Sequence, residues 1–441
     1  MGCFVSTQKD AGGVRRRPSN IGEVAVFFPG LRIPRGVEIS QPLSDSLPRS
    51  LVERLAALRT RIVVMAAQEA PTLTKARRKA ATQHGGSTAA DLLQALEDYL
   101  PVLLGLVKDG SKLEDKLQFV WVNQEDEAEE TAMSNAWYEI LSVLHLMAIL
   151  CFSEANLLLL PKTSSDGYQP KVSEGGYKNS GYALLCITLM PPLIAICYFA
   201  SENRRASIDI FLKAAGYLDC AIRHVLPRIP PELRKDLPID LTEGVLKAFR
   251  MQALGQSIDI QLGLAIDSPK ATLAVKRRLA CEMVKCWQQA QDSIADLSLP
   301  DGWGRKHRLF VQWKCCEAKA AAYYYHGLIL DEGNTEKSHG MAVAALQAAE
   351  EFLKESKRAS EAFNATAPLS RSVPLWGSMK YLSEKIPKDS CSKVRINKDL
   401  YSNNERVLDT APNLPDFAVA LKPDDYQLPP VDPSWNDQRS N

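Results

Sequence analysis

Ala320-Ala321-Ala322-Tyr323-Tyr324-Tyr325, separated by Gly333-Asn334 from Gly340-Met341-Ala342-Val343-Ala344-Ala345-Leu346-Gln347-Ala348-Ala349, decides how this chain folds. Both halves read as helix, over 304–331 and 336–364, and Gly333 stands where a helix-ending glycine is expected. Small side chains on one helix let its neighbour come close, and the tyrosines fill the space that remains. Helix hairpins closed in this way are the unit of tetratricopeptide-like stacks. No strict period runs through the chain, so the reading is a repeat-like helical solenoid.

Outward from this hairpin the helical signal continues in both directions. On the N-terminal side it covers 269–297, 241–266 and 203–226, then the very apolar run from Thr131 to Leu160, and Ala89 to Val107. Leu51, Leu55, Leu58, Ile62 and Met65 recur at spacings of four and three, which puts them on one helix face. Ser268-Pro269 reads as a cap followed by a first-turn proline. Val24 to Phe28, stopped by Pro29-Gly30, reads as a short strand ending in a turn. Beyond 365 the chain turns proline-rich and irregular; Tyr426-Gln427-Leu428-Pro429-Pro430 suits an extended arm packed along the helices. The expected fold is therefore all-α: an elongated helical solenoid with a tetratricopeptide-like core, a short N-terminal β element and an extended C-terminal arm. Its expected divisions are a flexible segment 1–20, a helical domain 21–430 and a disordered tail 431–441.

Composition narrows the function. The chain has 441 residues, 46% of them hydrophobic and 24% charged, with a formal net charge of +1. So balanced a charge gives no global attraction for nucleic acid, and nucleic acid is not an expected partner. The ten cysteines are scattered rather than spaced as a disulfide framework, and several fall in apolar helical runs, as buried reduced thiols do in the cytosol. The acidic run Glu125 to Glu130 is expected to complement a helix N-terminus, and the basic cluster Lys75, Arg77, Arg78 and Lys79 to be a solvated face.

The chain begins Met1-Gly2-Cys3-Phe4-Val5-Ser6, which fits N-myristoylation at Gly2 with an acylation-competent Cys3 beside it. One acyl chain gives marginal, reversible membrane binding, and a second makes it stable. Arg15, Arg16 and Arg17 add attraction to anionic lipid. The expectation is a protein held on the cytosolic face of a membrane. No charge interrupts Tyr182 to Ala200, so this segment is a candidate span, but Pro191-Pro192 at its centre would break a spanning helix. Ser-Glu stands at both borders, Ser173-Glu174 and Ser201-Glu202, and residues 175–202 are expected to be an apolar insertion in the helical domain. An integral membrane protein using 182–200 is the alternative.

No catalytic constellation emerges. The sequence holds no nucleophile elbow, phosphate-cradling glycine loop, paired-cysteine zinc spacing or His-Glu-x-x-His motif. The six histidines are dispersed, and His145 and His326 sit in apolar helices as hydrogen-bonded core residues would. No catalytic residue, metal site or cofactor is expected, and the chain is read as a non-enzyme. What remains is surface recognition. In 269–297, Val275, Leu279, Met283 and Cys286 form one stripe with Lys276, Arg277 and Arg278 beside it, a pattern suited to an acidic amphipathic helix.

The order of segments resembles the BRO domain family, whose members include Alix and Brox. The resemblance rests on Trp137-Tyr138-Glu139 with Val143-Leu144 and Ala148, on Ala214-Ala215-Gly216-Tyr217-Leu218, on Gly340 to Ala349, and on Val394-Arg395-Ile396-Asn397-Lys398-Asp399-Leu400-Tyr401 as the start of a C-terminal arm. It covers residues 22–430 and is similar to short, plant-type members with an acylated N-terminus. It implies a non-enzymatic adaptor in ESCRT-dependent endosomal and multivesicular body sorting. The implied partner is the C-terminal helix of the Snf-type core subunit of ESCRT-III, received on an apolar patch that falls here on Leu262, Val275 and Leu279. The implied location is cytoplasmic, on the cytosolic face of endosomal or plasma membrane. Regulation of sorting through ESCRT-I is a further alternative.

Overall fold

The computed structural model describes residues 22–69, 89–124, 130–160, 192–333, 335–401 and 410–436; the side chains of 192–200, 336, 394 and 397–401 are not described. Within them the helices are α1 Ser40–Leu43, α2 Arg49–Glu69, α3 Ala89–Leu103, α4 Ala136–Leu159, α5 Pro192–Cys220, α6 Pro231–Lys235, α7 Glu243–Asp267, α8 Leu273–Ile294, α9 Trp303–Asp331, α10 Glu336–Ala365 and α11 Met379–Tyr401. The long helices pack in a row, α2 on α3, α3 on α4, α4 on α5, α5 on α7, and then each on the next through α11. A row in which each helix rests on its chain neighbours is the solenoid expected from the sequence.

The α9–α10 hairpin shows why its sequence decides the fold. Ala320, Ala321, Ala322, Tyr324 and Tyr325 are buried, as are Ala342 to Leu346 and Ala349. A methyl group at Gly327 would lie 3.0 Å from Leu346 Cγ and 3.2 Å from the Ala342 carbonyl oxygen, so the two helices touch there with no room to spare. Tyr323 stacks on Phe352 at 5.6 Å. Thr335 opens α10 by accepting from Ser338 N at 3.1 Å.

The β elements are β1 Gly22–Val24, β2 Arg32–Pro34, β3 Phe119–Asn123, β4 Glu130–Met133 and β5 Ser370–Ser372. β2, β3 and β4 form an antiparallel sheet with Ile33 opposite Val122 and Trp121 opposite Thr131. β1 pairs in parallel with β5, Gly22 opposite Ser370 and Val24 opposite Ser372. The residues after β1 are locked into the core. Asn156 Oδ1 accepts from the backbone N–H of Ala25 (2.8 Å) and Val26 (2.9 Å), and Gln252 donates to the Phe27 carbonyl at 2.5 Å.

Two buried ionic clusters tie the sheet to the helices. Arg32 donates to both oxygens of Asp240 at 3.0 Å and to the Tyr138 hydroxyl at 3.0 Å. Glu139 accepts from Arg59 Nε (3.0 Å), Trp121 Nε1 (2.6 Å) and the Tyr99 hydroxyl (3.2 Å). The buried charges are tolerable because each has a partner of opposite sign and further hydrogen bonds, although Arg32 Nε and Arg59 Nη2 have no partner among the described residues.

Several expectations need correction. The strand is Gly22–Val24 rather than Val24 to Phe28, since Ala25, Val26 and Phe27 leave the ladder to bury their side chains. Residues 130–133 are strand, so the acidic run ends at the first residue of β4, Glu130, instead of leading into a helix; Asn135 caps α4, accepting from Trp137 N at 2.9 Å and Tyr138 N at 3.3 Å. Ser268 follows α7, and α8 starts at Leu273 with Thr272 as its cap, accepting from Val275 N at 3.3 Å. Residues 379–401 are helix rather than the start of an arm, with Leu382, Ile386 and Ser390 buried at helical spacing. Pro387 lies inside that helix, where it forfeits one backbone hydrogen bond without ending it. The arm itself is extended over 410–432, as expected.

α5 runs unbroken across residue 202, so the expected insertion boundary there is no structural boundary, and Pro192 stands at the helix start, where proline fits. Residues 175–191 of the insertion, the basic cluster 75–79 and residues 125–129 lie outside the described residues. Among the described residues one helix is long and apolar enough to cross a membrane, α4, and 83% of its apolar window is buried inside the protein. It is the central core helix.

Candidate partner-binding surface

α8 carries two of the three residues expected to grip a partner, and its burial changes along its length. Val275, near its start, is 46% exposed; Leu279, one turn on, is half-buried against the core; Met283 and Cys286 are fully buried. The stripe therefore begins on the surface and ends in the interior. Only its first two members offer contact area. Leu262 on α7 is completely buried, which corrects the expectation that it meets a ligand directly: its isobutyl group is packed in the core that supports α7 and α8.

The basic flank is also redistributed. Arg278 pairs with Glu282 at 2.8 Å, and Glu282, though almost wholly buried, also accepts from the Ala420 backbone N–H of the arm at 2.8 Å. Arg277 lies over the ring of Phe417 at 6.0 Å, and Lys285 pairs with Asp416 at 2.8 Å. Arg277, Arg278 and Lys285 thus face or support the C-terminal arm. Charge that the sequence offered to an outside acidic helix is partly satisfied from within.

The arm reaches further along the row. Asp424 N donates to the Leu212 carbonyl at 3.1 Å, Tyr426 meets Tyr217 edge-on at 4.6 Å, and Trp435 is buried with its indole N–H on the Val102 carbonyl at 3.0 Å. Gly216 permits this course: a methyl group there would lie 2.6 Å from the Asp424 carbonyl oxygen. This Ala-Ala-Gly stretch, read as a helix signature, is where the arm crosses α5.

Nothing at this surface resembles a catalytic centre. Burial pushes the Cys281 thiol up to about 11 and the Cys286 thiol up to about 12, which leaves both protonated and unreactive. Among the described residues no three histidine, cysteine or acidic side chains converge as metal ligands. His145 and His326 are core residues, as expected, but His145 is not a hydrogen-bonded one. Among the described residues neither ring nitrogen of His145 has a partner, nor has Nδ1 of His326. Gly2, Cys3, Arg15, Arg16 and Arg17 lie outside the described residues.

Comparison with known proteins places this architecture. Residues 197–404 match the family model described as the BRO1-like domain. Solved structures with the same fold include ALIX in complex with the SIVmac239 PYKEVTEDL late domain, at 16% identity and TM-score 0.59, covering 92% of this chain and 50% of that one. This chain therefore spans half the length of that ALIX chain. A second is the ALIX BRO1 complex with CHMP4C, at 15% identity and TM-score 0.56, covering 93% of this chain and 97% of that one. A third is the Bro1 domain described for endosomal targeting, at 14% identity and TM-score 0.53, covering 94% and 96%. No curated protein sequence matches the chain.

Proposed function

Because the chain carries a BRO1-like domain, we propose that it is a non-enzymatic adaptor of ESCRT-dependent endosomal and multivesicular body sorting, anchored to membrane at its N-terminus. Its partner in this reading is the C-terminal helix of an ESCRT-III core subunit, and it works at the cytosolic face of endosomal or plasma membrane. The observation that carries the reading is the apolar start of α8, exposed Val275 with half-buried Leu279, lying within the matched residues 197–404. That ALIX BRO1 has been solved with CHMP4C supports the choice of partner class.

Val275 and Leu279 supply the apolar anchors for such a helix, and Leu262 supports them from behind. The stripe is short, so a partner helix needs only one or two large apolar side chains in register with it, plus polar contacts along the arm. Lipid at Gly2 and Cys3, with Arg15 to Arg17 against anionic headgroups, concentrates the adaptor where ESCRT-III assembles.

Three measurements test the proposal. The full chain is titrated with an ESCRT-III C-terminal helix and, in parallel, with ESCRT-I subunits. Affinity for the ESCRT-III helix that Leu279→Asp abolishes supports the assignment; affinity that survives the buried charge rejects it. Membrane fractions of cells expressing Gly2→Ala test the anchor, which is refuted if the variant stays bound. Resistance of the wild-type chain to alkaline carbonate extraction would instead favour a span through 182–200.

A further inference from the structure

A cavity of about 320 Å³ lies between α9, α10, α11 and the segment that follows β5. None of its lining residues belongs to α8, so it is separate from the surface described above. Its floor is ionic. Lys314, on α9, donates to Asp259 Oδ2 at 3.0 Å and to Glu317 Oε2. Trp313 donates its indole N–H to Glu317 Oε1 at 2.8 Å, and Asp259 Oδ1 accepts from the Ser378 N–H (3.2 Å) and hydroxyl (2.7 Å). The three charged side chains are 1–6% exposed.

Every oxygen of both carboxylates is engaged as an acceptor. The pattern is that of two anions facing one ammonium, and each Glu317 oxygen, with a single donor among the described residues, has a second lone pair. Among the residues of the wall, Lys314 and Lys357 balance Glu317 and Glu361; Asp259, behind Lys314, leaves one negative charge in excess. Burial raises the Glu317 carboxyl above its ordinary range, against the pull of Lys314. Burial by itself would lower the Lys314 ammonium, yet Asp259 and Glu317 outweigh it and hold it above its ordinary range. Lys314 thus keeps its proton, and the deficit stays on the carboxylate side.

The rest of the wall suits an organic cation. Trp313 and Trp376 both line the cavity, their rings 5.7 and 5.2 Å from Lys314 Nζ. Leu375, at the mouth, is 53% exposed. Indoles, a buried carboxylate and a neighbouring apolar ledge together favour a guanidinium, which is planar, weakly hydrated and able to stack while it donates.

We propose that this cavity receives an arginine side chain from an extended segment of a partner protein, the guanidinium directed at Glu317 between the two tryptophans and the flanking apolar residues resting on Leu375. It is a second recognition site, independent of whether α8 binds an ESCRT-III helix.

The test uses the full chain and four acetylated, amidated pentapeptides, Leu-Ala-X-Ala-Leu, with arginine, lysine, citrulline or glutamate at X. Binding is followed by calorimetry and tryptophan fluorescence. The arginine peptide is expected to bind, with lysine weaker and citrulline at least about tenfold weaker, since citrulline keeps the shape and loses the charge. Glu317→Gln should remove the preference for arginine over citrulline. Lys357→Glu, at the exposed rim, should tighten the arginine peptide severalfold, and it covers the case in which Glu317→Gln does not fold. Equal binding of arginine and citrulline peptides, tightest binding of the glutamate peptide, no binding of the arginine peptide at millimolar concentration, or an unchanged affinity in Lys357→Glu each overturns the assignment.

Discussion

Glu282 accepts a hydrogen bond at 2.8 Å from the backbone N–H of Ala420, so the helix that carries the candidate anchors is fastened directly to the C-terminal arm. The same carboxylate holds Arg278 from its other oxygen. Glu282→Ala should therefore leave an amide and a guanidinium without their acceptor and cost about 1–3 kcal/mol. The check is a urea titration together with limited proteolysis. Cleavage within 410–430 should appear before global unfolding. Gly216→Ala, which pushes on Asp424 from α5, should loosen the same arm while leaving Glu282 intact.

The three residues expected at the partner surface should separate by phenotype. Val275→Asp places its charge on a surface position and should leave stability within about 0.5 kcal/mol of wild type while weakening helix binding. Leu262→Ala opens a cavity in the core and should cost about 2–5 kcal/mol, with any loss of binding following from that. Thermal denaturation and calorimetric titration of the same preparations distinguish the two cases.

Glu139→Ala should be among the most damaging single changes. It strips Arg59 of its counter-charge and removes the acceptor of the Trp121 and Tyr99 donors, at a cost of about 3–5 kcal/mol. Chemical denaturation measures it. A change below 1 kcal/mol would show that water or rearrangement rescues the cluster.

Acid should weaken the fold through two histidines. Burial lowers His145 to about 4 and His307 to about 3, and His307 is stacked at 4.3 Å on Phe249. The unfolded chain takes up protons near pH 6.5 and the folded one does not, so their contribution is complete above that value and is lost as pH falls toward 4 and 3. The slope over that window is up to about 1.4 kcal/mol per pH unit for each residue. Urea midpoints at pH 7.5 and 5.0 should differ accordingly, and His145→Leu should reduce the difference and raise stability at both, since His145 has no hydrogen-bond partner among the described residues.

How far the sequence was legible depended on the range of the interaction. The helical row was readable because Leu51 to Met65 and the Ala-Tyr hairpin repeat their pattern locally. β3 and β4 were not, because Phe119–Asn123 is strand by virtue of its pairing with Arg32–Pro34 far away. Pro387 concealed α11 because a proline announces a break that packing at Leu382 and Ile386 overrides. At the surface, spacing placed Val275 and Leu279 on one face but was blind to depth, so Met283 and Cys286 looked equally available, and the family resemblance that pointed to Leu262 was equally blind to its burial. The Lys314 cluster was invisible: Asp259 and Lys314 are brought together only by the packing of α7 against α9.

The parallel pairing of β1 with β5 has a mechanical consequence. A pull on residue 22 directed along the strand loads the bonds to Ser370–Ser372 in shear, all at once, rather than peeling them in turn. Should β1 slip, Asn156 holds Ala25 and Val26 as a second catch on the central helix. Tension applied at residue 22 would thus be passed through Asn156 to the central helix α4, away from the α8 surface and its arm.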